Sequence, residues 1–292
     1  MMVRKNSFQA WRLATRPKTL VAAAMPVVVG TALAARVGCF RWQAAAICFV
    51  FAVLAQVIAN FANDYFDYKK GADTPERLGP KRAVAEGWIP PRAMLRVTLA
   101  LLLADMLVGL SLLFFVGEKD FLPLLAVGVA VAVFALAYSG GRYPLAYHGW
   151  GDVCVFIFFG IVPVSFTHYV QTLQWTLPAT LCGAAMGLAI INILVANNYR
   201  DREQDKQANK RTSIVIFGDK FGRYFYLFNG ILAVLCCQYF WWEKAIWAAV
   251  LPVIYLFFHI AAWRDMGNIP VLEKSARNVL IFGACLAGGL LL

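Results

Sequence analysis

Ala62-Asn63-Asp64-Tyr65-Phe66-Asp67 and Ala196-Asn197-Asn198-Tyr199-Arg200-Asp201 read as two copies of one motif, and each closes a long apolar run. A further carboxylate follows each copy, Asp73 after the first and Asp205 after the second. Five aspartates thus gather where two apolar segments end. An ionised acid costs roughly 2.5–3.5 kcal/mol at the centre of a membrane helix, so acids kept near such segments mark a functional site and call for a cation.

The apolar runs set the fold class. Of 292 residues, 61% are hydrophobic and 15% charged, against about a quarter charged in soluble domains, so the chain reads as an all-α polytopic membrane protein. At about 20 residues per crossing, spans fall at Leu20–Ala35, Gln43–Ala62, Met94–Val116, Phe121–Tyr138, Asp152–Gln171, Thr176–Tyr199, Tyr224–Trp242, Ala245–Trp263 and Asn278–Leu292. Nine helices in a single domain, 1–292, are expected. All but four of the 27 basic residues (Arg36, Arg41, Lys119 and Lys244) fall on the side of the N-terminus, which the positive-inside bias makes cytoplasmic. The expected cytoplasmic segments are therefore 1–19, 63–93, 139–151 and 200–223. Their contacts with anionic headgroups account for the net charge of +11 without nucleic acid.

The N-terminal basic residues, the apolar run and Ala32-Leu33-Ala34 imitate a cleavable leader, but the run opens a multi-span chain and is read as its first span. Seven cysteines, mostly within spans and without a CxxC pair, point to neither zinc nor a disulfide scaffold.

An even number of crossings separates the ends of the second and sixth spans, so both motifs emerge on one face and can build one site. Pairing Asn63 with Asn197, Asp64 with Asn198 and Asp67 with Asp201 suggests two helical repeats related by an axis along the membrane normal. Spacings of three and four put Asn63, Asp64 and Asp67 on one helical face, and Asp201 and Asp205 on another. Oxygen ligands without His or Cys suit Mg²⁺, which keeps waters and is completed by substrate phosphate. Two ions bridged by a diphosphate match the duplication, with Asn63, Asp64, Asp67, Asp201 and Asp205 as the expected metal ligands. Mere pairing of these acids with neighbouring lysines and arginines does not account for a motif that occurs twice.

Cations follow each motif, Lys81-Arg82 and Lys210-Arg211. Either pair alone is more often a positive-inside anchor, but their matching placement after matching motifs favours phosphate oxygens. No GxxxxGK[ST] loop supports nucleotide hydrolysis. A prenyl diphosphate would lay its head among the acids and its tail between helices. Metal-assisted C–O cleavage leaves a carbocation-like centre, which aromatic faces stabilise. Tyr65, Phe66, Tyr138, Phe156, Phe158, Phe159, Tyr169 and Tyr199 are candidates, and each alone also suits a core or lipid-facing position.

At these residues the chain resembles the UbiA superfamily of intramembrane aromatic prenyltransferases, and within it the 1,4-dihydroxy-2-naphthoate polyprenyltransferase branch. Asn63 to Asp67 is similar to the superfamily's first motif, and Asp201-Arg202-Glu203-Gln204-Asp205 to its second, DxxxD. The segments Arg16 to Leu20, Gly71 to Pro80 and Tyr138 to Asp152 look like the naphthoate branch. The resemblance implies nine helices around a lipid-accessible cavity and an Mg²⁺-dependent site at the cytoplasmic face, in the inner membrane of a prokaryote. It implies transfer of a polyprenyl group from polyprenyl diphosphate to 1,4-dihydroxy-2-naphthoate, with loss of carbon dioxide and diphosphate, giving demethylmenaquinol for menaquinone. Asp64, Asp67, Asp73, Asp201 and Asp205 carry over as catalytic acids. Lys18, Asn63, Lys81, Arg82, Tyr138, Arg142, Asn197, Asn198, Lys210 and Arg211 are the substrate-binding candidates, Arg142 for the acceptor carboxylate.

Asp73 or Asp152 could assist deprotonation of the acceptor phenol, though Asp152 reads equally as a helix cap. Two departures stand out: Gly71 occupies the usual place of the first motif's third acid, and Trp150 that of a small apolar residue. His148, His168 and His259 show no ligand spacing, and Asp105, inside the third span, has no assignment. Two alternatives remain. A superfamily enzyme for 4-hydroxybenzoate or homogentisate is disfavoured by the Tyr138 to Asp152 segment. A cation-coupled secondary transporter would place its acids near the bilayer midplane rather than at helix ends.

Overall fold

Charged residues end a membrane span without ending the helix that forms it, because Lys, Arg, Glu and Gln are good helix formers. The computed structural model, which describes residues 3–73, 79–267 and 271–292, shows this at both acid motifs. Residues 74–78 of the expected Gly71 to Pro80 segment, Arg77 among them, lie outside the described residues.

Among the described residues twelve α-helices run in order: α1 Phe8–Ala14, α2 Val21–Arg36, α3 Trp42–Lys69, α4 Pro91–Ser111, α5 Phe121–Ala137, α6 Gly151–Val155, α7 Val162–Thr172, α8 Leu177–Gln207, α9 Ser213–Cys237, α10 Ile246–Val250, α11 Val253–Arg264 and α12 Val271–Leu291. A π-helical turn, Phe156–Ile161, joins α6 to α7 as one crossing. Among the described residues, seven helices are long and apolar enough to cross a membrane, or eight if the pair Phe8–Thr19 and Val21–Arg36, bent by 51°, is one span. With α12, whose first two turns carry Glu273, Lys274 and Arg277, the expected nine are approximately matched. The motif residues are helical: α3 runs on to Lys69 and α8 to Gln207, so the connections begin later than the segments 63–93 and 200–223 expected from hydropathy.

Local chemistry sets the boundaries. Ser7, Thr176 and Thr212 accept the first free amides of α1, α8 and α9. Pro252 separates α10 from α11, and Gly218 at φ 87° breaks α9 after its first turn.

The middle of the bundle is α8, whose apolar stretch is 72% buried. Gly183 and Gly187, four apart, lay their backbone against the π-helical turn. A Cβ on Gly187 would meet the Phe156 carbonyl oxygen at 2.8 Å, and one on Gly183 would meet Ile161 Cα at 2.7 Å. This is the small-xxx-small contact that lets membrane helices pack at backbone distance. The largest apolar core unites α2, α8, α9, α11 and α12. By contrast α4 and α5 are 11% and 6% buried, and turn Leu103, Leu107, Leu122 and Val133 outward. Between this core and the α4–α5 arm a cavity opens.

Candidate functional site

The cavity has a volume of about 610 Å³. Along most of its length the wall is apolar, with Phe51, Leu112, Leu124, Phe134, Phe158 and Phe159 among its residues. Phe134 and Phe158 meet with their rings tilted by 34° and 4.0 Å between centroids. Its polar wall is made where α3 and α8 run out, and there both copies of the motif meet: Asn63 and Asp67 from α3, Asn197 and Asn198 from α8, with Arg82, Lys210 and Asp152 beside them.

The five acids do different work. Asp67 is buried, lines the cavity and accepts a hydrogen bond from the Tyr147 hydroxyl at 2.8 Å. Asp64 departs from the shared face that its spacing suggests. Its two oxygens accept from the backbone amides of Ala83 and Val84, at 3.0 and 3.2 Å, and it is not part of the cavity wall. The carboxylate therefore anchors the loop that presents Arg82. The Asp73 side chain is buried, with its carboxylate 3.6 Å from Arg82 Nε. On α8, Arg200 grips Asp201 and also donates to Asn197 Oδ1 at 2.6 Å, while Lys210 Nζ stands 3.2 Å from Asp205. Protein cations thus neutralise Asp201 and Asp205, two of the acids that sequence assigns to metal, and neither of these is part of the cavity wall.

The remaining candidates divide. Asn63 Oδ1 accepts from the Ser139 hydroxyl at 2.6 Å, and Tyr138 lines the cavity. Lys18 also lies along the wall, largely exposed and 2.5 Å from Glu273. Lys81 is exposed and pairs with Glu86 at 2.9 Å. Arg142 and Arg211 are exposed and stand outside the cavity wall. Asp152 is the second residue of α6 rather than its cap, which is Trp150, and the residue lines the cavity. Asp105 is buried in α4 away from the cavity.

Two residues gain weight that sequence alone did not give them. Arg16 sits at the bend before α2 with φ 52°, a conformation rare for anything but glycine and typical of functional sites when other residues hold it. Its guanidinium donates to the carbonyl and side-chain oxygens of Asn60, at 3.3 and 3.4 Å, on the cavity wall. Tyr147 lies among Asp67, Asp73 and Asp205. Burial first, and then the charge of Asp67, raise its phenol above the ordinary tyrosine value, so it stays a donor. Burial likewise lowers the Lys70 ammonium, with Asp67 opposing. The motif gave Arg16 a place but no geometry, and nothing in the sequence set Tyr147 apart from its loop.

Among the described residues, no three acids or histidines already enclose a metal position. The oxygen-only donor set at the polar wall nonetheless fits a hard cation that keeps waters and takes its last ligands from phosphate.

The chain is similar to known proteins over nearly its whole length. The model of the UbiA prenyltransferase family matches residues 23–267. A 1,4-dihydroxy-2-naphthoate octaprenyltransferase of Haemophilus influenzae is 31% identical, over 98% of this chain and 97% of its own. Its namesake from Mycobacterium tuberculosis is 35% identical over 97% of each. Among solved structures, a UbiA homolog from Archaeoglobus fulgidus bound to GPP and Mg²⁺ superposes with a TM-score of 0.67 at 16% identity, over 97% of this chain and 99% of that one.

Proposed function

The chain belongs to the UbiA prenyltransferase family, and from that premise we propose that it transfers a polyprenyl group from polyprenyl diphosphate to 1,4-dihydroxy-2-naphthoate. Carbon dioxide and diphosphate are lost and demethylmenaquinol is formed for menaquinone. The observation that carries the prenyl diphosphate is the meeting of Asn63 and Asp67 from the first motif with Asn197 and Asn198 from the second at the polar wall of one apolar cavity. The acceptor follows the relatives that match this chain over nearly its whole length.

Asn63 and Asp67 on α3, with Asp201 and Asp205 on α8, would hold Mg²⁺, which supplies charge neutralisation to the departing diphosphate. Arg16, Arg82 and Lys210 bind diphosphate oxygens, and Asp64 fixes the loop from which Arg82 reaches the cavity. The prenyl C–O bond breaks with its electron pair leaving on diphosphate. Phe134, Phe158 and Phe159 exclude water from the cationic carbon and offer it their faces. The ring carbon that bears the carboxylate bonds to the prenyl carbon; its bond to the carboxylate then breaks, the pair returns to the ring, and carbon dioxide departs. The basic-residue distribution supports a cytoplasmic N-terminus and site.

Purified protein in lipid, given Mg²⁺ and a polyprenyl diphosphate with either 1,4-dihydroxy-2-naphthoate or 4-hydroxybenzoate, tests the reading. Prenylated, decarboxylated naphthoquinol from the first acceptor alone is expected. Product from 4-hydroxybenzoate alone overturns the acceptor, and no product from either overturns the reading.

A further inference from the structure

One side chain outside the acid motifs touches the machinery of both. Tyr147 ends the short helical turn Leu145–Tyr147 in the connection between α5 and α6 and is buried. Its hydroxyl donates to Asp67 Oδ1, 2.8 Å away. Its ring carries two ammonium groups, Lys70 Nζ at 4.5 Å and Lys210 Nζ at 5.7 Å from the centroid. Its carbonyl accepts from the Arg211 amide at 3.1 Å, next to the backbone bridge between His148 and Arg211. Asp67 and Lys70 belong to the end of the first repeat, Lys210 and Arg211 to the connection after the second. No other contact described above joins the two repeats through a single residue.

We propose that Tyr147 is a positioning residue that registers the two halves of the active site, aiming Asp67 at the cation and Lys210 at the diphosphate. This rests on the prenyl-transfer reading above. Tyr147 is not itself part of the cavity wall, whereas Asp67 and Lys210 are, so it acts through them.

A carboxylate offers about four lone-pair positions. The phenol takes one on Oδ1 and fixes the rotation of the group, so that the rest point in a set direction. Partners of this kind, behind a metal ligand, typically change metal affinity or activity 10–100-fold when removed. The aromatic face restrains the long Lys210 side chain, which also reaches Asp205, and thereby limits where its charge can sit when phosphate arrives.

Y147F separates the two functions, since it keeps the ring and loses the hydroxyl; Y147L loses both. The full-length protein in lipid nanodiscs is titrated with Mn²⁺ in the presence of inorganic diphosphate, and binding is followed by electron paramagnetic resonance. Product formation is followed against both Mg²⁺ and prenyl diphosphate. Y147F is expected to weaken Mn²⁺ binding and raise the half-saturating Mg²⁺ by about 10–100-fold, leaving the KM for prenyl diphosphate near that of the native protein. Y147L is expected to raise that KM as well. Y147F that binds Mn²⁺ as tightly as the native protein overturns the proposal, and it decides alone if Y147L does not accumulate. Native protein that neither binds Mn²⁺ with diphosphate nor forms product refutes instead the reading on which the proposal rests.

Discussion

Arg200 holds Asp201 with two nitrogens, Nε on Oδ1 at 2.6 Å and a terminal nitrogen on Oδ2 at 2.7 Å, and both side chains are buried. A guanidinium so placed stands where the proposed reaction brings a divalent cation. Arg200→Met withdraws that positive charge from a buried carboxylate, at a cost of about 3 kcal/mol. The melting temperature is expected to fall in chelator, and Mg²⁺ with diphosphate to recover part of the loss. A variant that melts identically with and without the metal contradicts a cation position beside Asp201.

Asp67→Asn keeps an oxygen for the Tyr147 hydroxyl and removes the charge. Turnover is expected to drop on the order of 10²-fold or more, as when a group that stabilises developing charge is lost, while the melting curve stays near that of the native protein. Unchanged turnover removes Asp67 from the site.

Because Arg16 already occupies the left-handed region, glycine suits its backbone better than arginine does. Arg16→Gly therefore separates shape from charge: the protein is expected to fold normally while the KM for prenyl diphosphate rises roughly 10-fold, the worth of one charge-assisted hydrogen bond. An unchanged KM assigns Arg16 to holding the Asn60 turn alone.

Gly187→Val drives a branched side chain into the Phe156 carbonyl and ring. A loss of about 1–3 kcal/mol or more is expected, read as a lower melting temperature and poorer recovery from membranes. Gly128, whose Cβ would meet nothing within 4 Å, provides the control; Gly128→Ala should change neither.

Much of this was legible in the order of residues. Apolar runs located the crossings, and the duplicated motif with its parity placed Asn63, Asp67, Asn197 and Asn198 at one cavity. What escaped depended on contacts between distant segments. Asp64 and Asp67 look alike in sequence, three apart on one helix, yet one turns to the amides of Ala83 and Val84 and the other to the cavity. Helical spacing specifies a face, not what arrives opposite it. Tyr147 was hidden for the same reason, since its partners come from four other positions in the chain. The contact of Gly183 and Gly187 with the π-helical turn was equally hidden, because glycine in a membrane span reads as small and neutral until a neighbouring backbone fills the space.

The π-helical turn Phe156–Ile161 has a consequence for how this wall can change. It lodges one residue more than an α-helical path would hold, and each residue advances a helix by roughly 100°. The stretch before it, with Asp152, and the stretch after it, with Val162 and Thr167 on the cavity, therefore obey separate angular clocks. Deleting one residue inside the turn would reset the later clock alone. It would swing the deep apolar wall around its axis while the acid end kept its bearing, so a lineage could retune the tail pocket there without disturbing the chemistry above it.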